Sequence, residues 1–134
     1  MRTTLLATTM AFLMITPALA GPCGFDEVGR LVIKGYAIGA TVVPAEQKAR
    51  LTEFAETAKY RDGICIFAQV DATGSDEANV KVAQARTDGV RRFLASRGVP
   101  EGAMVIEKQD KAFTLFGLLP DDQASDRRVV VTHN

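Results

Sequence analysis

The chain has no tryptophan, one histidine and two cysteines in its 134 residues. His133, the only histidine, is the penultimate residue, so a multi-histidine metal site or a histidine-dependent catalytic triad has no residues to be built from. Cys23 and Cys65 are far apart in sequence and form no Cys-x-x-Cys redox motif. Net charge is also absent: 16 Lys and Arg stand against 16 Asp and Glu, so no excess field draws the chain to nucleic acid or anionic lipid. No basic patch with interleaved aromatic residues compensates for this, and nucleic acid is not an expected partner. Past the first twenty residues, no stretch approaches the roughly 20 apolar residues of a membrane-spanning helix. What is present, 47% hydrophobic and 24% charged residues, suits one globular domain.

The first twenty residues read as a secretory signal: Arg2, an apolar run from Leu5 to Ile15, then Pro17 and Ala18-Leu19-Ala20. Cleavage after Ala20 starts the mature chain at Gly21 and removes Arg2, leaving one more acid than base. Pro22 directly before Cys23 is unlike a lipoprotein cleavage box, so a lipid anchor is not expected. Residues 21–30 form an N-terminal segment and 31–134 the folded domain. Export permits a disulfide. Cys23 and Cys65 either bridge the N-terminus to a core strand, or Cys65 is buried and Cys23 loose; the spacing leaves both open.

Leu31–Ile33 with Gly35-Tyr36-Ala37-Ile38 reads as an early strand region, and Pro44 marks a helix start. Leu51, Phe54, Ala55 and Ala58 then recur at helical spacing opposite a charged face. Arg61-Asp62-Gly63 breaks that helix, and the continuous apolar run Ile64–Val70 suits a central strand covered on both faces. Turn residues 71–76 precede a second helix, capped by Ser75 or Asp76 and running to about Arg97. Gly98-Val99-Pro100 stops it. Met104–Ile106 is a weak strand and Arg128–Thr132 a strong one. This alternation predicts a two-layer α/β domain of βαβαβ(β) order, a mixed sheet with its helices on one face.

One residue breaks the pattern of the second helix. At about 100° per residue, Arg86 falls in the middle of the stripe formed by Val82, Ala83, Val90, Phe93 and Leu94. A guanidinium on a buried face costs several kcal/mol unless acceptors meet it. Asp71, at the end of the core strand, is the nearest candidate. Either Arg86 and Asp71 form a structural salt bridge, or Arg86 snorkels to the helix edge, or the two are walls of a site for a zwitterionic amino-acid end, whose carboxylate suits the guanidinium and whose ammonium suits the aspartate.

Val70-Asp71-Ala72-Thr73-Gly74, Asn79 through Arg86, Val90, Phe93-Leu94, Gly98-Val99-Pro100 and Asp126-Arg127-Arg128-Val129 together resemble the OmpA-like, peptidoglycan-associated domain family, outer membrane protein A's C-terminal domain. That family's pattern is T-D-x-x-G, N-x-x-L-S-x-x-R-A and N-R-R-V. The resemblance spans Leu31 to Thr132, with Tyr36, Val42 and Pro44 standing for the family's early phenylalanine, leucine and proline. It implies a non-catalytic, periplasmic domain that binds the diaminopimelate of peptidoglycan stem peptides and tethers or positions a component at the cell wall or outer membrane. In the resemblance Asp71 and Arg86 hold that amino acid, with Gly74, Asn79 and Arg128 beside or supporting the pocket. No catalytic residue, metal or cofactor is implied.

The chain departs from the pattern at several points. Gln69-Val70 replaces a His-Thr pair, Ala83 a serine, Asp126 the last asparagine, and Glu107–Lys111 the usual G-x-G-E loop. A carboxylate at Asp126 could compete with the ligand for Arg128 or Arg86. The apolar segment 112–120 has no counterpart in the family's polar loop; it either fills the core or docks envelope proteins. The alternative function is thus a diverged protein-interaction module without wall binding. An enzyme would have to rely on carboxylates such as Asp71 and Asp76, which read more simply as solvated loop residues.

Overall fold

The computed structural model describes residues 22–69, 76–107 and 127–134. Among the described residues, four strands and two α-helices follow one another as β1 (Gly29–Ile33), α1 (Lys48–Ala58), β2 (Ile64–Gln69), α2 (Asp76–Ser96), β3 (Met104–Ile106) and β4 (Arg128–His133). The sheet order is β1-β4-β2-β3. β4 enters between β1 and β2 and pairs antiparallel with both, whereas β3 pairs parallel with β2 after the crossover through α2. The result is the mixed α/β sheet expected from the alternation of elements.

Side chains alternate across a strand, and this divides the sheet into two unequal faces. Leu31 and Ile33 of β1, Ile64, Ile66 and Ala68 of β2, and Val129 and Val131 of β4 meet Leu51, Ala55 and Ala58 of α1 and Ala83, Val90 and Leu94 of α2 in the main core. Fully burying residues such as Leu51 and Leu94 contributes about 1.5–3 kcal/mol each. The alternate residues Cys65, Phe67 and Val130 form a second, smaller cluster on the opposite face, packed against Cys23, Phe25 and Val32. The run Ile64–Ala68 is therefore apolar without alternation because both of its faces are covered.

The opposite face is covered by the N-terminal segment. A disulfide joins Cys23 to Cys65, which answers the question the spacing left open, and neither cysteine is free. Gly63 lets this segment lie close: a Cβ there would come within 3.1 Å of the Phe25 ring. At the same end of the sheet, where His133 pairs with both Gly29 and Ile64, the buried His133 ring occupies the space a Cβ on Gly29 would need, and it leans on Phe54 with ring centroids 5.3 Å apart.

Several boundaries differ from the sequence reading: β1 begins at Gly29 rather than Leu31, β4 runs to His133, and two further differences have a local cause. The early strand stops at Ile33, because Gly35 takes φ 86°, a left-handed conformation that turns the chain out of the sheet, so 35–38 is loop. Pro44 does not open the α-helix directly; a single 3₁₀ turn, Ala45–Gln47, precedes α1. The apolar segment 112–120 lies outside the described residues. No helix among the described residues is long and apolar enough to cross a membrane.

Candidate functional site

The site is built on α2 and on the loop that leaves β1. Arg86 projects from the apolar face of α2 as its position in the stripe requires, and it is 1% exposed. Its guanidinium is met by backbone: Nε donates to the carbonyl of Ala40 at 2.7 Å and Nη2 to that of Ala37 at 3.1 Å. Ala37 also accepts from Ala40 N at 3.0 Å, so this one carbonyl closes the turn and receives the arginine. Below the guanidinium lies the Tyr36 ring, its centroid 4.6 Å from Cζ. Carbonyl dipoles and an aromatic face thus offset the cost of burying the charge.

Tyr36 is itself 2% exposed. Burial pushes its hydroxyl pKa up to about 12, against a smaller lowering by Arg86, so the group is a neutral O–H donor across the physiological range. That hydroxyl has no hydrogen-bond partner among the described residues. The Tyr36 carbonyl is fixed by a second arginine, Arg127, whose Nε donates to it at 2.9 Å. Two arginines, one on α2 and one directly before β4, therefore hold the loop Tyr36–Ala40.

Arg128 faces a different partner. Its Nε and Nη2 both donate to Oε1 of Gln69, at 3.0 and 2.7 Å, across the register in which Gln69 and Arg128 are paired on β2 and β4. The glutamine that replaces the resemblance's histidine thus occupies the side edge of this guanidinium. Asn79 is half-buried in the first turns of α2, about two turns before Arg86 and on the same side of the helix. Thr87, buried beside Arg86, donates its hydroxyl within the helix to Ala83 and Gln84 carbonyls and is spent there.

Of the site residues drawn from the sequence, the structure describes Arg86, Asn79 and Arg128; Asp71 and Gly74 lie outside the described residues. Arg86 is buried as its helical position demands, but the acceptors found for it are loop carbonyls that sequence reasoning did not name. Arg127 and the aromatic seat provided by Tyr36 were also missed. The only sequence signal for either was the adjacent arginine pair and the loose match at Tyr36. Cys23, Cys65 and Glu107 bring potential ligand atoms within 4.8 Å of one another, but the disulfide already uses both sulfurs.

The sequence profile of the OmpA family matches residues 36–114, a span that begins at the arginine-clamped loop and contains α1, β2, α2 and β3. No curated protein matches the chain. Among solved structures, the peptidoglycan-associated lipoprotein of Burkholderia pseudomallei superposes with a TM-score of 0.60 at 24% identity, over 77% of this chain and 89% of that one. The periplasmic domain of Helicobacter pylori MotB gives 0.63 at 13% identity, over 86% and 88%. The cell wall anchor of the type VI secretion system from Pseudomonas aeruginosa gives 0.58 at 20% identity, over 78% and 79%. At such identities these likenesses bear on the fold, and they agree with the mixed four-stranded sheet and its two helices. The profile match covers more than half of the sequence, and with it the chain belongs to the OmpA family.

Proposed function

We propose that this domain binds peptidoglycan without cleaving it, at the diaminopimelate of a stem peptide, and that it acts in the periplasm after removal of residues 1–20. The observation that carries this reading is Arg86: a charged side chain 1% exposed on an apolar helix face, within the segment matched by the OmpA profile. Asp71 supplies the opposite charge in this reading, so one diaminopimelate terminus meets an anion for its ammonium and a cation for its carboxylate. Gly74, Asn79 and Arg128 support the pocket. Purified protein should sediment with diaminopimelate-type sacculi. Arg86→Ala and Asp71→Ala should each abolish that, and sedimentation unaffected by either would remove the site. Release of soluble muropeptides would overturn the non-catalytic part.

A second reading, a protein-interaction module at the envelope, is favoured by two apolar side chains, one in the clamped loop and one just after it. Ile38 and Val42 are 77% and 75% exposed. Stable co-purification of a periplasmic protein, lost in Ile38→Ser with Val42→Ser and accompanied by no sacculus binding, would select it over the first.

A further inference from the structure

The side edges of the two arginines flanking the site are already used by the protein. Arg86 turns Nε and Nη2 to Ala40 and Ala37, and Arg128 turns the same pair of nitrogens to Gln69. The parallel two-bond grip with which an arginine takes a carboxylate side-on is thereby directed at protein acceptors on both. A carboxylate entering here gains from a further donor. The Tyr36 ring lies against the Arg86 guanidinium, and its hydroxyl is a buried polar atom with no hydrogen-bond partner among the described residues. A buried donor left without an acceptor destabilises the fold that contains it, and such a group calls for a specific explanation. The same ring without its oxygen would fill the same space and seat the guanidinium equally well. The hydroxyl therefore adds nothing to packing or to the cation–aromatic contact.

Resting on the wall-binding reading, we propose that Tyr36 is a ligand-binding residue whose hydroxyl donates a hydrogen bond to the carboxylate held at Arg86, directly or through one ordered water. The oxygen's cost in the free protein is offset when the ligand arrives. Tyr36 is well suited to the role because it is held at both ends. Arg127 fixes its carbonyl at 2.9 Å and Arg86 lies over its ring, so the donor is preorganised and little side-chain entropy remains to be lost on binding.

The test is isothermal titration calorimetry of a soluble diaminopimelate-containing stem peptide into the mature wild-type chain and into Tyr36→Phe, with thermal unfolding of both proteins in the absence of peptide. Tyr36→Phe should bind about 10-fold or more weakly, as expected for loss of a hydrogen bond to a charged acceptor, while its midpoint of unfolding is equal to or above that of wild type. Equal affinities for the two proteins would overturn the proposal and leave the wall-binding reading standing. A lower unfolding midpoint for Tyr36→Phe would also overturn it, because the hydroxyl would then already be satisfied within the protein. Failure of the wild type itself to bind would refute the underlying reading and this inference with it.

Discussion

Reducing the Cys23–Cys65 bridge should cost the domain about 4 kcal/mol at 25 °C. The two cysteines are separated by 42 residues, and a cross-link closing a loop of that length removes roughly 13 cal/mol/K of entropy from the unfolded chain. Set against a typical domain stability of about 5–15 kcal/mol, this is a large share. The structure adds a second effect. The bridge holds the N-terminal segment against Cys65, Phe67 and Val130 on the sheet face that the helices do not cover. Once released, Phe25 can leave its place over Gly63 and the small cluster opens to water. Urea unfolding followed by far-ultraviolet circular dichroism, with and without reductant, measures the first effect. The midpoint should fall, and the slope should rise because an uncrosslinked unfolded chain exposes more surface. Binding of an apolar dye to the reduced, still folded protein measures the second. An unchanged midpoint under conditions where alkylation proves both thiols free would refute the reasoning.

Gly29→Ala should destabilise the fold by about 1–3 kcal/mol in urea melts, because the added methyl meets the buried His133 ring where β1 pairs with β4. Leu94→Ala, which empties a fully buried site between α2 and the sheet, should cost about 2–5 kcal/mol in the same assay. Tyr36 gives a pH signature. Its folded pKa lies at about 12 against the ordinary 10.0 of a tyrosine, so an unfolded chain loses this proton first and stability should decline as pH rises from about 10 through 12. That component is fully present below pH 10 and should vanish in Tyr36→Phe, as read from unfolding free energies across the alkaline range. Arg127→Ala removes the bond to the Tyr36 carbonyl and should weaken sacculus binding while the helical circular dichroism signal stays near that of wild type.

The elements that periodicity specifies were legible in the sequence. Leu51, Ala55 and Ala58 at helical spacing become the buried side of α1, and the run from Ile64 becomes the central strand β2. Arg86 stood out for the same reason, since a charge in an apolar stripe is visible to a helical wheel. Its acceptors were not visible, because they are backbone carbonyls in a loop 46 and 49 residues away, and backbone acceptors leave no mark on composition. The end of β1 was misread because Tyr36 and Ile38 look like strand residues; the left-handed turn at Gly35 sends them into the loop that Arg86 and Arg127 hold. The cysteines hinted at the N-terminal cover, but only the three-dimensional register puts Cys65 and Phe67 on the face opposite the helices.

The central claim is that Arg86, buried on α2, acts together with Asp71 to make this domain a reader of diaminopimelate in the cell wall. Co-sedimentation with purified diaminopimelate-type sacculi tests it most directly, using wild type, Asp71→Ala, and Arg86→Lys, which keeps the charge but not the planar fork. The account predicts that wild type is recovered in the pellet and both variants in the supernatant. Recovery of all three in the pellet to the same extent, or of none, would contradict it.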